Sequence, residues 1–179
     1  MLGRPSTLTV RRRPVELVRR VPVPLDAAVD VLRYGADRLV ALDPAMPWEA
    51  DGGLSSLAVD LPGGIHLTRQ VRIGFGPILE EDGTFAVPVW WEAEEYPHLF
   101  PTFDGALEVC RGRGRGGEGT DLHLVGSYQP PLGSIGRFAN GFLGHQVVMA
   151  SLEELLNRMA DRLATTATDM AAVPAGLFF

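Results

Sequence analysis

A chain of 179 residues, 46% of them hydrophobic, makes one domain or at most two very small ones, and is too apolar to stay disordered. Its formal charge of −6 argues against general nucleic-acid binding, and its single cysteine, Cys110, excludes an intrachain disulfide. The 21 glycines and 14 prolines exceed the usual share without reaching low complexity, so many turns are expected inside a folded domain.

Residues 1–13 read as a flexible N-terminal arm. Arg11, Arg12 and Arg13 are followed by Pro14 and Glu16 rather than an apolar run, so no secretion signal is expected. Val15, Leu17, Val21 and Val23 have strand spacing, closed by Pro22 and Pro24. Asp26 is expected to cap a short helix carrying Ala27, Ala28, Val31 and Leu32, with a second short helix around 36–42.

Period two then takes over. Leu57, Val59 and Leu61 form one strand, and Pro62-Gly63-Gly64 reads as a hairpin turn. Ile65, Leu67, Val71, Ile73 and Phe75 form the longest strand, and Asp82-Gly83 marks another hairpin. Phe85, Val87, Val89 and Trp91 alternate next, with Pro88 among them predicting an edge strand or a bulge. Phe103, Leu107 and Val109 form a strand. A glycine-rich stretch joins it to Leu122, Leu124 and Tyr128, and Pro130-Pro131 stops the sheet.

The last element is a long helix over about 134–164. Phe138, Phe142, His145, Met149, Leu152, Leu156, Met159 and Leu163 recur at alternating intervals of four and three, a single apolar stripe. About 30 residues make a rod of roughly 45 Å, which needs an equally long surface to lie on. Residues 166–179 are left as a tail. Hairpin-joined strands make the sheet antiparallel, and a twisted antiparallel sheet wraps around such a rod. The fold class is α+β: a curved antiparallel sheet around a long C-terminal helix, with short helices after the first strand.

That element order, together with Trp90-Trp91-Glu92-Ala93, Leu99-Phe100-Pro101, Phe103-Asp104-Gly105, Thr120-Asp121-Leu122 and Gly126-Ser127-Tyr128-Gln129-Pro130-Pro131-Leu132-Gly133, resembles the helix-grip fold of the START/Bet v 1-like (SRPBCC) superfamily. Within it the chain is most similar to bacterial polyketide cyclase/dehydrase-like proteins of unassigned function. The resemblance spans residues 14–165; the Pro- and Gly-rich stretch 34–53 departs from the usual two-helix grip. It implies a deep apolar cavity between sheet and helix. Relatives bind lipids, sterols or polyketides, and some are aromatases or cyclases.

Several polar residues fall on the apolar faces. Arg69 shares the parity of Val71 and Ile73, and Arg19 that of Leu17 and Val21, so each is turned out by a bulge, paired, or facing a wet cavity. His145 is the polar member of the helical stripe. It reads as a core histidine with a backbone partner, or as a cavity histidine that holds ligand or moves a proton. Tyr128 needs a partner for its hydroxyl if buried. Glu92, Glu94 and Glu95 read as a solvated edge. The Arg111–Gly117 stretch contains Gly112, Gly114 and Gly117 in dinucleotide-loop spacing, but between two strands it reads as a mobile hairpin.

The expected function is binding of an apolar small molecule between sheet and helix, lined by Arg69, Val71, Trp91, Tyr128, Phe142, His145 and Met149. One alternative is a polyketide aromatase/cyclase using Arg69, Tyr128 or His145 for proton transfer and enolate stabilisation. The other is a ligand-free interaction protein docking through Leu177-Phe178-Phe179. His66, His98, His123 and Cys110 stand apart without ligand spacing, so no metal is expected, and no cofactor. The longest uncharged stretch with helical character, 138–152, is too short to span a membrane, giving the expectation of a soluble cytoplasmic protein. A homodimer stays open.

Overall fold

The computed structural model describes residues 12–40, 52–61, 65–95, 101–112, 119–129 and 141–172. The chain runs β1 (Arg13–Val21), α1 (Leu25–Gly35), a 3-10 turn (Ala36–Leu39), β2 (Gly53–Leu61), β3 (Ile65–Phe75), β4 (Leu79–Glu81), β5 (Thr84–Ala93), β6 (Thr102–Arg111), β7 (Thr120–Gln129) and α2 (Gly141–Ala172). One antiparallel sheet holds all the strands in the order β1-β7-β6-β5-β3-β2, with β4 pairing β5.

Each hairpin follows from its turn residues. Asp82 and Gly83 both take positive φ, 49° and 75°, the requirement of the two-residue turn that matches strand twist, and Glu81 pairs Thr84 across it. Pro62-Gly63-Gly64 lies outside the described residues, but Leu61 pairs Ile65 on either side of it. Pro88 does not mark an edge: β5 is an interior strand, with β6 on one side and β3 and β4 on the other. The bulge alternative holds instead. β3 and β4 follow one line against β5, interrupted opposite Pro88, where the Gly76 N–H donates to the Pro88 carbonyl (2.8 Å). A proline lacks the N–H that an unbroken strand there would use. This break yields seven strands where period-two counting predicts six.

The inner face of the interior strands is largely apolar. Val71 and Ile73 on β3, Val87, Val89 and Trp91 on β5, Phe103, Leu107 and Val109 on β6, and Leu122, Leu124 and Tyr128 on β7 are all buried. From α2, Val148, Leu152, Leu155, Leu156, Met159, Leu163 and Ala167 face them. The helix packs most closely on the two edge strands, β1 and β2, rather than on the sheet's centre. A flat sheet of this width could not bring both edges to one helix about 10 Å across, so the sheet is curled into a trough with α2 along its opening.

Polar anchors fix the trough. Ser55, buried in β2, donates to the Val40 carbonyl (2.9 Å), while Arg158 of α2 donates to Ser55 Oγ (3.2 Å) and the Ser56 carbonyl (2.8 Å). Thr120 donates to the Val23 carbonyl (2.7 Å), tying β7 to the segment before α1. Arg162 reaches the Arg38 carbonyl (3.1 Å); burial, and secondarily neighbouring Arg158, lower its guanidinium pKa from the ordinary value.

Two helix boundaries differ from expectation. α1 starts at Leu25 behind Pro24, without a side-chain cap, so Asp26 lies within the first turn rather than capping it. α2 continues to Ala172, and Ala167 is buried, so the start of the expected tail is helical. The beginning of the expected long helix, Phe138 included, and Leu177-Phe178-Phe179 lie outside the described residues.

Candidate functional site

One transverse row of the inner face carries two of the expected site residues, Trp91 and Tyr128. Ile73 pairs Trp91, Trp91 pairs Phe103, and Phe103 pairs Tyr128, so period two places all four side chains on the trough floor. Trp91 and Phe103 meet edge to face, with centroids 6.3 Å apart at 76°. The row lies near the end of the trough where α2 begins.

There the helix meets the floor. The Tyr128 hydroxyl lies 2.9 Å from His145 Nδ1, and the two rings stack with centroids 6.0 Å apart at 23°. Tyr128 is buried and His145 half-buried. With the neutral Nε2–H tautomer, Nδ1 accepts and the tyrosine donates; with Nδ1–H the roles reverse. The expected backbone partner for His145 is therefore replaced by a side chain on β7. Met149, one turn further along α2, packs partly buried against the same core.

Tyr128→Phe keeps the ring and removes only this bond. It is expected to cost no more than about 1 kcal/mol and to shift the His145 imidazole nitrogen resonances. Unchanged histidine resonances would contradict the contact.

The other candidates divide. Val71 is buried opposite Ala93. The side chains of Arg69 and Phe142 lie outside the described residues. The β2–β3 register runs unbroken through Arg69, opposite Leu57, so no bulge turns it out. Arg19 is likewise in unbroken register, opposite Leu122, yet exposed: β1 is an edge strand, and a long side chain there reaches water from the inner face. Its bulge and wet-cavity readings both fall.

Trp91 carries a feature that sequence could not announce. It is only 3% exposed, and its Nε1 is the buried side-chain polar atom among the described residues without a hydrogen-bond partner. An unpaired buried donor costs about 1–3 kcal/mol.

Glu92, Glu94 and Glu95 are exposed, and Glu94 holds Arg72 through two 3.1 Å contacts. The Gly112 N–H donates to the Gly119 carbonyl (2.8 Å), closing a β6–β7 hairpin that opens no helix. Among the described residues no three His, Cys, Asp or Glu side chains form a group able to hold a metal, and no helix is long and apolar enough to cross a membrane.

Two open clefts flank α1. One, of about 460 Å³, is bordered by Leu25, Val29, Arg33, Phe85 and Arg111; the other, of about 260 Å³, by Leu32, Ala36, Phe75 and Ile78. Of the expected lining residues whose side chains are described, Val71, Trp91, Tyr128, His145 and Met149, none borders either cleft.

A curled antiparallel sheet, one short helix after the first strand and a long C-terminal helix closing the trough leave one description. The chain has the helix-grip fold. No protein-family model matches the sequence, and no curated protein is similar to it at a significant level. Among solved structures, the chain is similar to an uncharacterized protein from Rhizobium leguminosarum (11% identity, 86% of this chain and 95% of that one, TM-score 0.43). It is similar to Ara h 8.0201 (12% identity, 87% and 99%, TM-score 0.46). It is also similar to a Thalictrum flavum norcoclaurine synthase point mutant in complex with a transition-state analogue (14% identity, 90% and 98%, TM-score 0.48). The helix-grip assignment stands on the strand order and register of this chain.

Proposed function

We propose that the chain binds an apolar small molecule, lipid-, sterol- or polyketide-like, between the sheet and α2, at the end of the trough where Tyr128 and His145 meet. The observation that carries this reading is the 2.9 Å Tyr128–His145 pair, a half-buried polar contact among apolar side chains of the core. A cavity of this kind needs a few placed polar groups to orient its guest, with apolar walls for the rest. The curl supports it: α2 rests on the trough's rims, leaving the floor to be filled by side chains or guest. Met149 and Met159 on the helix stripe suit a wall that adapts to the guest's shape.

The test is titration with N-phenyl-1-naphthylamine, an uncharged apolar fluorescent probe. Saturation at one probe per chain is expected, with at least a tenfold loss in Met149→Arg while circular dichroism is unchanged. No uptake, or several surface-bound probes per chain, would contradict the reading.

The same contact favours a second reading, an aromatase/cyclase-type enzyme. A tyrosine hydroxyl hydrogen-bonded to an imidazole is a general acid–base pair able to exchange a proton with an enolising ketone. Acceleration of intramolecular aldol condensation in a model poly-β-ketone, lost in both Tyr128→Phe and His145→Ala, would separate catalysis from binding alone.

A further inference from the structure

We propose that the guest of the trough carries a neutral carbonyl oxygen and that the indole N–H of Trp91 is the donor that receives it. The inference deepens the binding reading and rests on it. Trp91 sits at the middle of the floor, between Ile73 on β3 and Phe103 on β6. Both neighbours are hydrocarbon and offer no acceptor. Tyr128, the next polar group along the row, already shares its hydroxyl with His145. Strand backbone carbonyls on either side are committed to the β3–β5 and β5–β6 ladders. The Trp91 N–H is thus buried, directional and without a partner among the described residues.

An indole N–H can only donate, so its complement is an acceptor. A carboxylate is the wrong one: a single neutral donor between Ile73 and Phe103 does not compensate the loss of its hydration. A carbonyl on an apolar frame satisfies the donor and leaves the remaining surface to the hydrocarbon wall. Trp91 then fixes the guest's position along the trough, and Tyr128–His145 forms a second polar point across the row.

Two matched pairs of probes test this: fluorenone against fluorene, and 2-decanone against decane. Each is titrated into the full chain labelled with ¹⁵N at its three indoles, Trp48, Trp90 and Trp91. The expected result is that each ketone binds about tenfold more tightly than its hydrocarbon, the factor one net hydrogen bond provides. Only the Trp91 indole proton should move downfield, and only with the ketones. In Trp91→Phe the ketone preference should fall to about one. If that variant does not fold, Trp48→Phe and Trp90→Phe assign the Trp91 signal by elimination, and the downfield shift still decides. Equal binding of ketone and hydrocarbon, or a Trp91 signal already downfield before titration because a fixed water accepts from it, overturns the inference and leaves the binding reading standing. Failure of all four probes to bind overturns both.

Discussion

Replacing Leu152 with alanine is expected to lower the free energy of unfolding by about 3 kcal/mol. Leu152 is fully buried, in the midsection of α2, within the layer between the helix and the curled sheet. Removing its branched end loses the transfer energy of three carbons and leaves a void that close-packed neighbours fill only in part. For a chain of this size such a loss lowers the melting temperature by roughly 6–12 °C. Urea unfolding followed by tryptophan fluorescence measures it. A loss below about 1 kcal/mol would mean that α2 does not press on the sheet at this point.

A single added methyl at Gly126 should be nearly as damaging, at about 2–3 kcal/mol. Gly126 faces Gly105 across the β6–β7 ladder. A Cβ there would lie 2.6 Å from the Asp104 carbonyl oxygen, 2.6 Å from the Gly105 Cα and 2.9 Å from the Phe103 ring. Two of these are backbone and cannot swing aside, so the strands must part. The missing side chains let Phe103 lie down beside its row-mates Trp91 and Tyr128, so Gly126→Ala should also disturb the candidate site. Gly83→Ala is the useful contrast: nothing lies within 4 Å of its Cβ, and only its φ of +75° penalises a side chain. It is expected to cost about 1 kcal/mol and leave the site untouched. Equal effects for the two variants would contradict the close approach at Gly126.

The parts of the fold legible in the sequence are those that repeat. Alternation in β5, β6 and β7 identified the buried face residue by residue, and Asp82-Gly83 fixed a hairpin because few residues other than glycine accept its dihedral angles readily. The end of α2 was not legible. Thr165 and Thr168 break the apolar rhythm, but their hydroxyls donate back to the Asp161 and Ala164 carbonyls (3.0 and 2.8 Å), so the helix continues through them. The split between β3 and β4 was hidden in Pro88, which reads the same way for an edge and for a bulge until the neighbouring strands are placed.

In the candidate site, the positions of individual residues were legible more than their contacts. Tyr128 and His145 each fell on an inner face by period. Their meeting depends on the start of α2 crossing the end of β7, a long-range placement that no local pattern encodes. The unpartnered Trp91 N–H is a fact about what its neighbours in β3 and β6 lack, which becomes visible only once the register is known.

The proposed binding of an apolar guest between sheet and helix can be tested on the intact protein. Native mass spectrometry of the full chain, gently purified and never exposed to detergent, tests it directly. The expected result is a species heavier than the bare chain by the mass of one small molecule, released on denaturation as an apolar compound containing a carbonyl. A spectrum holding only the bare chain, identical before and after denaturation and unchanged by incubation with a lipid extract, would contradict it.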